Sequence, residues 1–180
     1  NWGAEDHING ATAQADLLGI FGREGLDLAT RWTTPASSTP TFKAMKMYRN
    51  YDGNQSTFGD LSVFAGGPNP DHLASFAAQR SADGALTLMA INKPLGSNTP
   101  VTVTLTNFLP AGLAQVWQLT AANTITHLSD IAFTGAAFSS VLPAQSITLF
   151  VVPGGASPAL RALGAAGGNF NFRLEGLAAQ

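Results

Sequence analysis

The chain of 180 residues has no cysteine and few charged side chains, and these shortages exclude several classes of protein. Without cysteine it can form neither disulfide bonds nor thiolate metal sites. Charged residues make up 11% of the chain, against roughly 25% in an average soluble domain. The formal net charge of −2 provides no basic surface, so we expect no nucleic-acid partner. No apolar run approaches the roughly 18–20 residues of a transmembrane helix, so we expect no membrane partner either.

The composition that remains favours a β-rich, secreted module: the chain is 45% hydrophobic and contains 19 Gly and 10 Pro. Its charges are unevenly distributed. Residues 1–52 hold 11 of the 20 Lys, Arg, Asp and Glu residues, and the turn signal Asp52-Gly53-Asn54 follows directly. We therefore predict a domain boundary at this point. The chain opens on Asn1-Trp2-Gly3 without a signal peptide, and we interpret it as part of a longer polypeptide.

A helix and then a strand are predicted in the first half of residues 1–52. Asn9-Gly10 indicates a turn, and Thr12 is the predicted N-cap of the helix. Gly25 is its predicted C′ residue. After a short connection, residues 27–32 are predicted to form a buried strand that ends in Trp32. The helix carries an apolar stripe of Leu17, Leu18, Ile20 and Phe21.

A second helix is predicted over about 40–51, because Thr39 and Pro40 supply an N-cap and a first-turn proline. One face of it carries Phe42, Met45, Tyr48 and Tyr51. A strand between two helices with short connections is typical of a parallel α/β structure. So few residues cannot close such a sheet, and we predict that they are the end of a larger α/β domain.

Residues 53–153 change to a period of two, which is typical of strands. Turn signals such as Asp83-Gly84 separate the alternating runs. Seven or so short strands of this kind predict an antiparallel β-sandwich, and roughly 100 residues suffice to bury its core. The clearest runs lie at about 73–80, 86–92, 101–105, 114–120, 124–128 and 146–151.

The end of the chain differs again. Residues 154–168 are rich in Gly and Ala and predict a linker. Within residues 169–180, Phe170, Phe172 and Leu174 alternate with polar side chains. This alternation predicts the first strand of a further β-rich module.

Residues that could perform catalysis or bind a metal are poorly grouped. Hydrolysis of a glycosidic bond requires two carboxylates on opposing walls of a cleft, whereas the adjacent Glu5 and Asp6 diverge and the other carboxylates are isolated. The three histidines are scattered, which disfavours a zinc site. His7 beside Glu5 and Asp6 offers at most a weak metal or substrate contact. We therefore assign no catalytic residue and no metal ligand within the chain.

The tryptophans are better candidates for a binding role. Trp32 ends the predicted α/β strand, the position at which barrel folds concentrate their sites, and its ring could equally bind a ligand or pack. Trp2, in the opening loop, is a weaker candidate of the same kind. Trp117, on an alternating strand, is predicted to lie in the sandwich core. The residues alone thus favour an aromatic wall compatible with carbohydrate, beside a β-sandwich.

Several long motifs over about residues 1–153 resemble glycoside hydrolase family 44. Three resemble the end of its catalytic barrel: Asn1-Trp2-Gly3-Ala4-Glu5-Asp6-His7-Ile8-Asn9-Gly10-Ala11-Thr12, Gly19-Ile20-Phe21-Gly22-Arg23-Glu24-Gly25 and Ala44-Met45-Lys46-Met47-Tyr48-Arg49-Asn50-Tyr51-Asp52-Gly53. Others resemble its C-terminal β-sandwich: Pro68-Asn69-Pro70-Asp71, Ile91-Asn92-Lys93 and Leu142-Pro143-Ala144-Gln145-Ser146-Ile147-Thr148-Leu149-Phe150.

The resemblance implies a mixed fold, in which the last strand and helices of a (β/α)8 barrel are followed by an antiparallel β-sandwich. Residues 1–52 would be the C-terminal end of the catalytic barrel and residues 53–153 the β-sandwich domain. It also implies a secreted, retaining endo-β-1,4-glucanase that cleaves cellulose-like glucans and xyloglucan. The expected partner is therefore a polysaccharide, and we expect further modules in the same chain.

The same resemblance assigns roles to individual residues. The nucleophile, a glutamate, would lie just upstream of Asn1, and the acid/base glutamate further upstream, so neither belongs to this chain. Trp32 matches a tryptophan of strand 8 in the sugar-binding cleft, and Trp2 lies beside the nucleophile strand. No cofactor is required in this family, although the intact enzymes can bind a structural metal ion. The alternatives left open are a non-catalytic carbohydrate-binding module and a purely structural β-sandwich.

Overall fold

A computed structural model describes residues 3–67, 69–154, 159–166 and 169–175, the last two ranges by their backbone alone. Two helices precede all the strands. The helices are α1 (Ile8–Arg23) and α2 (Pro40–Arg49). The strands are β1 (Leu61–Val63), β2 (Leu73–Gln79), β3 (Leu86–Asn92), β4 (Thr99–Thr104), β5 (Ala114–Leu119), β6 (Ile125–Ile131), β7 (Ala137–Leu142), β8 (Ser146–Val152), β9 (Ala159–Ala166) and β10 (Asn169–Glu175).

Residues 61–152 form two antiparallel sheets packed face to face, which confirms the predicted β-sandwich. The larger sheet has the order β1-β2-β3-β8-β5-β6, and the smaller sheet pairs β4 with β7. The predicted runs correspond to β2, β3, β4, β5, β6 and β8, whereas β1 and β7 were not among the runs identified from the sequence. β1 has only three residues, and the sequence of β7, Ala137–Leu142, does not alternate strictly between apolar and polar side chains.

Both faces of the larger sheet are covered. Phe150 and Val152 of β8 point toward β4 and β7 and form one core with Phe138 and Leu142. The alternate side chains of β8 point the other way and form a second core with α1 and α2. That second core contains Ala11, Ala15, Ala44, Met47, Met89, Ile91, Ile147, Leu149 and Val151. The architecture is therefore three layers: helices, a six-stranded sheet and a two-stranded sheet.

Helix α1 contacts the sheet through small side chains. Ala11, Ala15 and Gly19 recur every fourth residue on its buried face, whereas Leu17 of the predicted apolar stripe is exposed. A Cβ atom added at Gly19 would lie 2.2 Å from Cδ2 of Phe76 on β2. Small residues are needed on this face because the helix backbone lies directly on the aromatic ring.

The predicted start of α1 was wrong. The helix begins at Ile8 with His7 at the N-cap, so Asn9-Gly10 is helical and not a turn. The Thr12 hydroxyl donates to the Asn9 carbonyl inside the helix (2.9 Å) and caps nothing. A Cβ at residue 10 would lie 1.8 Å from the Ala4 carbonyl oxygen, so the glycine is explained by a close backbone contact. The predicted C′ residue is correct, because Gly25 has a φ of +67° and follows the helix end.

Helix α2 begins as predicted and ends two residues earlier, at Arg49. The Thr39 hydroxyl accepts a hydrogen bond from the Phe42 N–H (3.2 Å), and Pro40 occupies the first turn. The Tyr48 hydroxyl donates to the Ala15 carbonyl (2.9 Å) and joins the two helices. Burial raises the pKa of Tyr48 well above its ordinary value, so it remains a neutral donor.

The strand predicted at residues 27–32 does not form in the 180-residue chain. In the structure this segment is not a strand and belongs to none of the described sheets. Leu28 is 79% exposed and Trp32 is 83% exposed. A strand of a parallel sheet is stabilised by hydrogen bonds to the strands beside it. The described part of the chain supplies no such neighbouring strand here.

The predicted linker over 154–168 contains a strand. β9 pairs antiparallel with β10, from Ala159 opposite Glu175 to Ala166 opposite Asn169. The alternation at 170–174 thus marks a strand. The residues before it form its partner strand, because antiparallel pairing provides hydrogen bonds for the backbone N–H and C=O groups of both segments. The remaining positions of these predictions, 155–158, 167–168 and 176–180, lie outside the described residues. A further module beginning at residue 169 stays a prediction.

The helices are tied to the sandwich across the predicted boundary at residues 52–54. The Lys93 ammonium lies 2.6 Å from the Asp16 carboxylate, which joins the end of β3 to α1. The Lys43 ammonium donates to the Asn123 carbonyl (2.6 Å), which joins α2 to the turn between β5 and β6. Together with the shared core, these contacts make α1 and α2 a third layer that packs on the sandwich.

The contact between α1 and β2 gives a first prediction. Gly19→Ala places a methyl group in the Phe76 ring, and we expect the free energy of unfolding to fall by about 1–3 kcal/mol. Gly22→Ala on the same helix is the matched control, because nothing lies within 4 Å of its added Cβ. The control should be neutral or stabilising by up to about 1 kcal/mol. Urea denaturation followed by circular dichroism measures both, and equal effects would contradict the close packing.

A second prediction concerns pH. The Arg80 guanidinium binds the Asp83 carboxylate (2.7 Å) and also donates to the Tyr51 hydroxyl (3.1 Å). The hydrogen bond from Arg80 lowers the pKa of Asp83. A carboxyl group whose pKa is lower in the folded state stabilises it above the unfolded pKa of about 3.9 and loses that effect as the pH falls through the folded pKa.

We therefore expect Asp83→Asn to reduce the free energy of unfolding at pH 7 by up to about 1 kcal/mol, since the carboxylate is half exposed. The difference from the wild-type chain should shrink below about pH 4. Urea denaturation at pH 7, 5 and 3 measures it. A difference that grows toward low pH would show that the assigned pKa direction is wrong.

Candidate functional site

The segment between the two helices presents the principal candidate residue, Trp32. Gly25 ends α1, and the Leu26 N–H donates to the Phe21 carbonyl (2.9 Å) as the chain turns away from the helix. Residues 26–34 then cross the surface without regular structure until Pro35, which is buried. Trp32 lies near the end of this segment, and 83% of its surface is exposed.

Arg31 anchors this segment to the loop before α1. Its guanidinium forms an ion pair with the Glu5 carboxylate and also donates to the Thr33 carbonyl. The Thr33 hydroxyl lies 3.4 Å from the same carboxylate oxygen. Both charged side chains are about three-quarters buried, and the Glu5 carbonyl accepts from the Thr41 N–H at the start of α2 (3.4 Å). The residues on either side of Trp32 are therefore held to Glu5, which is itself hydrogen-bonded to the start of α2.

This arrangement presents a planar aromatic ring on an anchored loop. The apolar face of a pyranose packs against such a ring, while the sugar hydroxyls remain hydrogen-bonded. Trp2, the second residue predicted to bind substrate, lies outside the described residues. The Glu5–Arg31 pair was not identified from the sequence, because its members are 26 residues apart and only the fold brings them together.

The described carboxylates are mostly engaged in structural contacts. Glu5 is paired with Arg31, Asp16 with Lys93, Glu24 with Arg23 and Asp130 with His127. The pKa is lowered for three described carboxyl groups, Asp52, Asp60 and Asp83. Hydrogen bonds from Ser81 lower the pKa of Asp60, and one from Arg80 lowers that of Asp83. For Asp52, burial raises the pKa, but the hydrogen bonds, above all from Ser56, outweigh it. A general acid needs a raised pKa, so none of these three suits that role.

Metal ligation finds no support in the part of the chain that the structure describes. No group of three or more His, Asp or Glu side chains there could hold a metal ion. Neither described helix is long and apolar enough to cross a bilayer.

Trp117 does not lie between the two sheets, so its predicted position was wrong. It points toward the helix layer, where its ring centroid lies 5.4 Å from that of Tyr51. The ring of His127 on β6 stacks on it with centroids 4.4 Å apart and planes 10° from parallel. Alternation along a strand cannot decide which face a residue occupies when both faces are buried.

A groove with a volume of about 430 Å³ lies between α1, the end of α2 and the outer strands β1 and β2. Phe58 and Phe76 line its interior, and Phe64 stands at its mouth. Nothing in the sequence drew attention to this groove, because its walls come from four separate segments. Arg23, Arg49 and Asp60 add charged groups to the lining.

No family model matches the chain, but individual proteins do. Over 142 residues the chain is 32% identical to Endoglucanase A of Paenibacillus lautus. The match covers 74% of this chain and 20% of that protein. The crystal structure of CelM2, a bifunctional glucanase-xylanase from a metagenome library, is 67% identical with a TM-score of 0.84. That match covers 86% of this chain and 30% of CelM2.

A xyloglucanase of Paenibacillus polymyxa from glycoside hydrolase family 44 is 27% identical with a TM-score of 0.78. The match covers 85% of this chain and 31% of that structure. The chain thus spans about a fifth of the curated relative and about three-tenths of each solved structure.

A third prediction separates the roles of two tryptophans. Trp117→Ala removes a ring that packs on Tyr51 and His127, and we expect the free energy of unfolding to fall by about 3 kcal/mol. Trp32→Ala should change it by less than about 0.5 kcal/mol, because the side chain is 83% exposed. Urea denaturation of the two variants measures this contrast. A large loss for Trp32→Ala would show that the ring is mainly a packing residue.

Proposed function

We propose that this chain, a member of glycoside hydrolase family 44 that matches the C-terminal part of its structures, is part of a secreted endo-β-1,4-glucanase. The substrates would be cellulose-like β-1,4-glucans and xyloglucan. Secretion follows from the size of such polymers, which the enzyme meets outside the cell. The observation that carries the proposal is the 67% identity with CelM2, a bifunctional glucanase-xylanase, over 86% of this chain.

In the proposed enzyme, α1, residues 26–34 and α2 are the last helix–strand–helix unit of a (β/α)8 barrel. Their order, with a segment of no regular structure between two helices, supports this assignment. Residues 27–32 would gain strand partners from the preceding barrel strands. Trp32 would then lie at the cleft and hold a glucosyl unit, and Trp2 would lie beside the nucleophile.

The chemistry itself would be performed by two glutamates that precede Asn1. A retaining enzyme places the two carboxyl groups about 5–5.5 Å apart, so that one attacks the anomeric carbon while the other protonates the leaving oxygen. A covalent glycosyl-enzyme forms and water then hydrolyses it, which retains the anomeric configuration. The contribution of this chain is to position substrate through Trp32 and to support the barrel through its sandwich.

A second role, purely structural, is favoured for the sandwich by the contacts between its larger sheet and the helices. Met89, Ile91 and Leu149 pack beneath Ala15 and Met47, and the Lys93–Asp16 ion pair lies at the border of this interface. The sandwich therefore holds the two helices in place whether or not it binds carbohydrate.

The proposal is tested by reducing-end assays on carboxymethylcellulose and xyloglucan. We expect no hydrolysis by residues 1–180 alone and clear hydrolysis by a polypeptide that also contains the upstream part. Appreciable hydrolysis by the pure 180-residue chain would refute the placement of both glutamates. Inactivity of the longer polypeptide on both glucans would refute the endoglucanase assignment.

In the active polypeptide, Trp32→Ala should raise KM about 5- to 30-fold, which corresponds to about 1–2 kcal/mol of lost stacking. Leu95→Ala is the matched control, since Leu95 is a similarly exposed apolar residue and lies outside the segment proposed as a barrel strand. It should leave KM unchanged. Equal effects of the two substitutions would show that the ring of Trp32 does not contact substrate.

A further inference from the structure

The groove beside β1 carries an unusually exposed aromatic ring. Phe64 is 93% exposed and follows directly on β1, whose Leu61 and Val63 are also exposed. Large apolar side chains grouped on a protein surface often mark an interaction site. The groove they border has a volume of about 430 Å³, within the range of small-ligand sites.

The walls of this groove are held in place by contacts on both sides. The Phe58 ring packs on Tyr48 with centroids 5.1 Å apart, and its N–H donates to the Tyr48 carbonyl (2.8 Å). The Asp60 carboxylate accepts from the Ser81 N–H (2.7 Å) and from the Ser81 hydroxyl. A Cβ at Gly59 would lie 2.6 Å from the backbone of Gln79, so this segment lies directly on β2. A ligand would therefore meet a preformed surface.

The polar groups of the groove suit an uncharged ligand with many hydroxyls. Arg23 lies over the Phe76 ring, 5.8 Å from its centroid, and is paired with Glu24. Arg49 and Asp60 contribute one charge of each sign. Glu24 lies outside the lining, and its pairing offsets the charge of Arg23, so the groove has little net charge to attract a polyanion or a polycation. Guanidinium, carboxylate and hydroxyl groups beside exposed aromatic rings are the groups that bind a pyranose.

A protein strand is a less suitable occupant. An added strand gains its affinity from a row of backbone hydrogen bonds, and β1 is only three residues long. Its register with β2, from Leu61 opposite Gln79 to Val63 opposite Ala77, leaves few free backbone groups on the outer edge. The aromatic lining of the groove, by contrast, extends past the end of β1 to Phe64.

We propose that this groove is a binding site for a neutral β-linked glucan chain, with the Phe64 ring as the platform for one sugar unit. The ligand class rests on the function proposed above. The site itself rests on the exposed ring, the preformed walls and the balanced charge. It lies on different segments from Trp32, so it would hold a second stretch of the same polymer or a second chain.

Affinity electrophoresis of the 180-residue chain in gels that contain hydroxyethylcellulose or xyloglucan tests the site. We expect retardation of the wild-type chain and an apparent affinity about 5- to 30-fold weaker for Phe64→Ala. Leu95→Ala is the matched control, because Leu95 is 81% exposed and lies in the loop after β3. It should migrate like the wild-type chain. Carboxymethylcellulose should bind no more tightly than the neutral polymer.

Three outcomes would overturn the proposal. The first is unchanged retardation of Phe64→Ala together with its loss in Trp32→Ala, which would place all binding at Trp32. The second is the absence of retardation for the wild-type chain in both gels. The third is a change in oligomeric state of Phe64→Ala in analytical ultracentrifugation with unchanged glucan affinity, which would make this face a protein contact. The reducing-end assay reports separately on the proposed enzyme, so its result does not depend on the groove.

Discussion

Both faces of the six-stranded sheet must be covered, because its central strand β8 is buried at every residue from Ser146 to Val152. A strand that is buried on both sides cannot form one half of a two-layer sandwich with a solvated back. The two-stranded sheet β4–β7 covers one face, and α1 and α2 cover the other. The helices therefore complete the cover of this sheet, although they precede it in the chain and differ from it in charge.

The close fit between helix and sheet follows from this requirement. Ala11, Ala15 and Gly19 allow the backbone of α1 to approach β2, and the ring of Phe76 fills the space that larger side chains would have taken. Interiors at native packing density tolerate little change of volume, so this contact fixes the position of α1 on the sheet. The loop after α1 starts from that fixed position, and the Arg31–Glu5 pair then holds the residues that flank Trp32.

The sequence allowed the sandwich, the start of α2 and the end of α1 to be predicted, each for a local reason. Alternation indicates strands, Thr39-Pro40 is a start signal, and Gly25 supplies the positive φ that ends a helix. The start of α1 was misplaced, because the glycine at residue 10 serves a contact with Ala4 that no local pattern reveals. The strand at 27–32 was predicted from its composition, but a strand forms only where neighbours can pair with it.

For the candidate site, the sequence by itself determined the residue type and the resemblance: a tryptophan in motifs that resemble family 44. It also determined the alternating strands, because a period of two depends only on neighbouring residues. Only the tertiary structure decided which face of the sheet Trp117 occupies, that Glu5 anchors Arg31, and that Phe64 borders a groove. The physical reason is the same in each case. These features depend on contacts between residues far apart in the chain, and packing of the three layers alone brings them together.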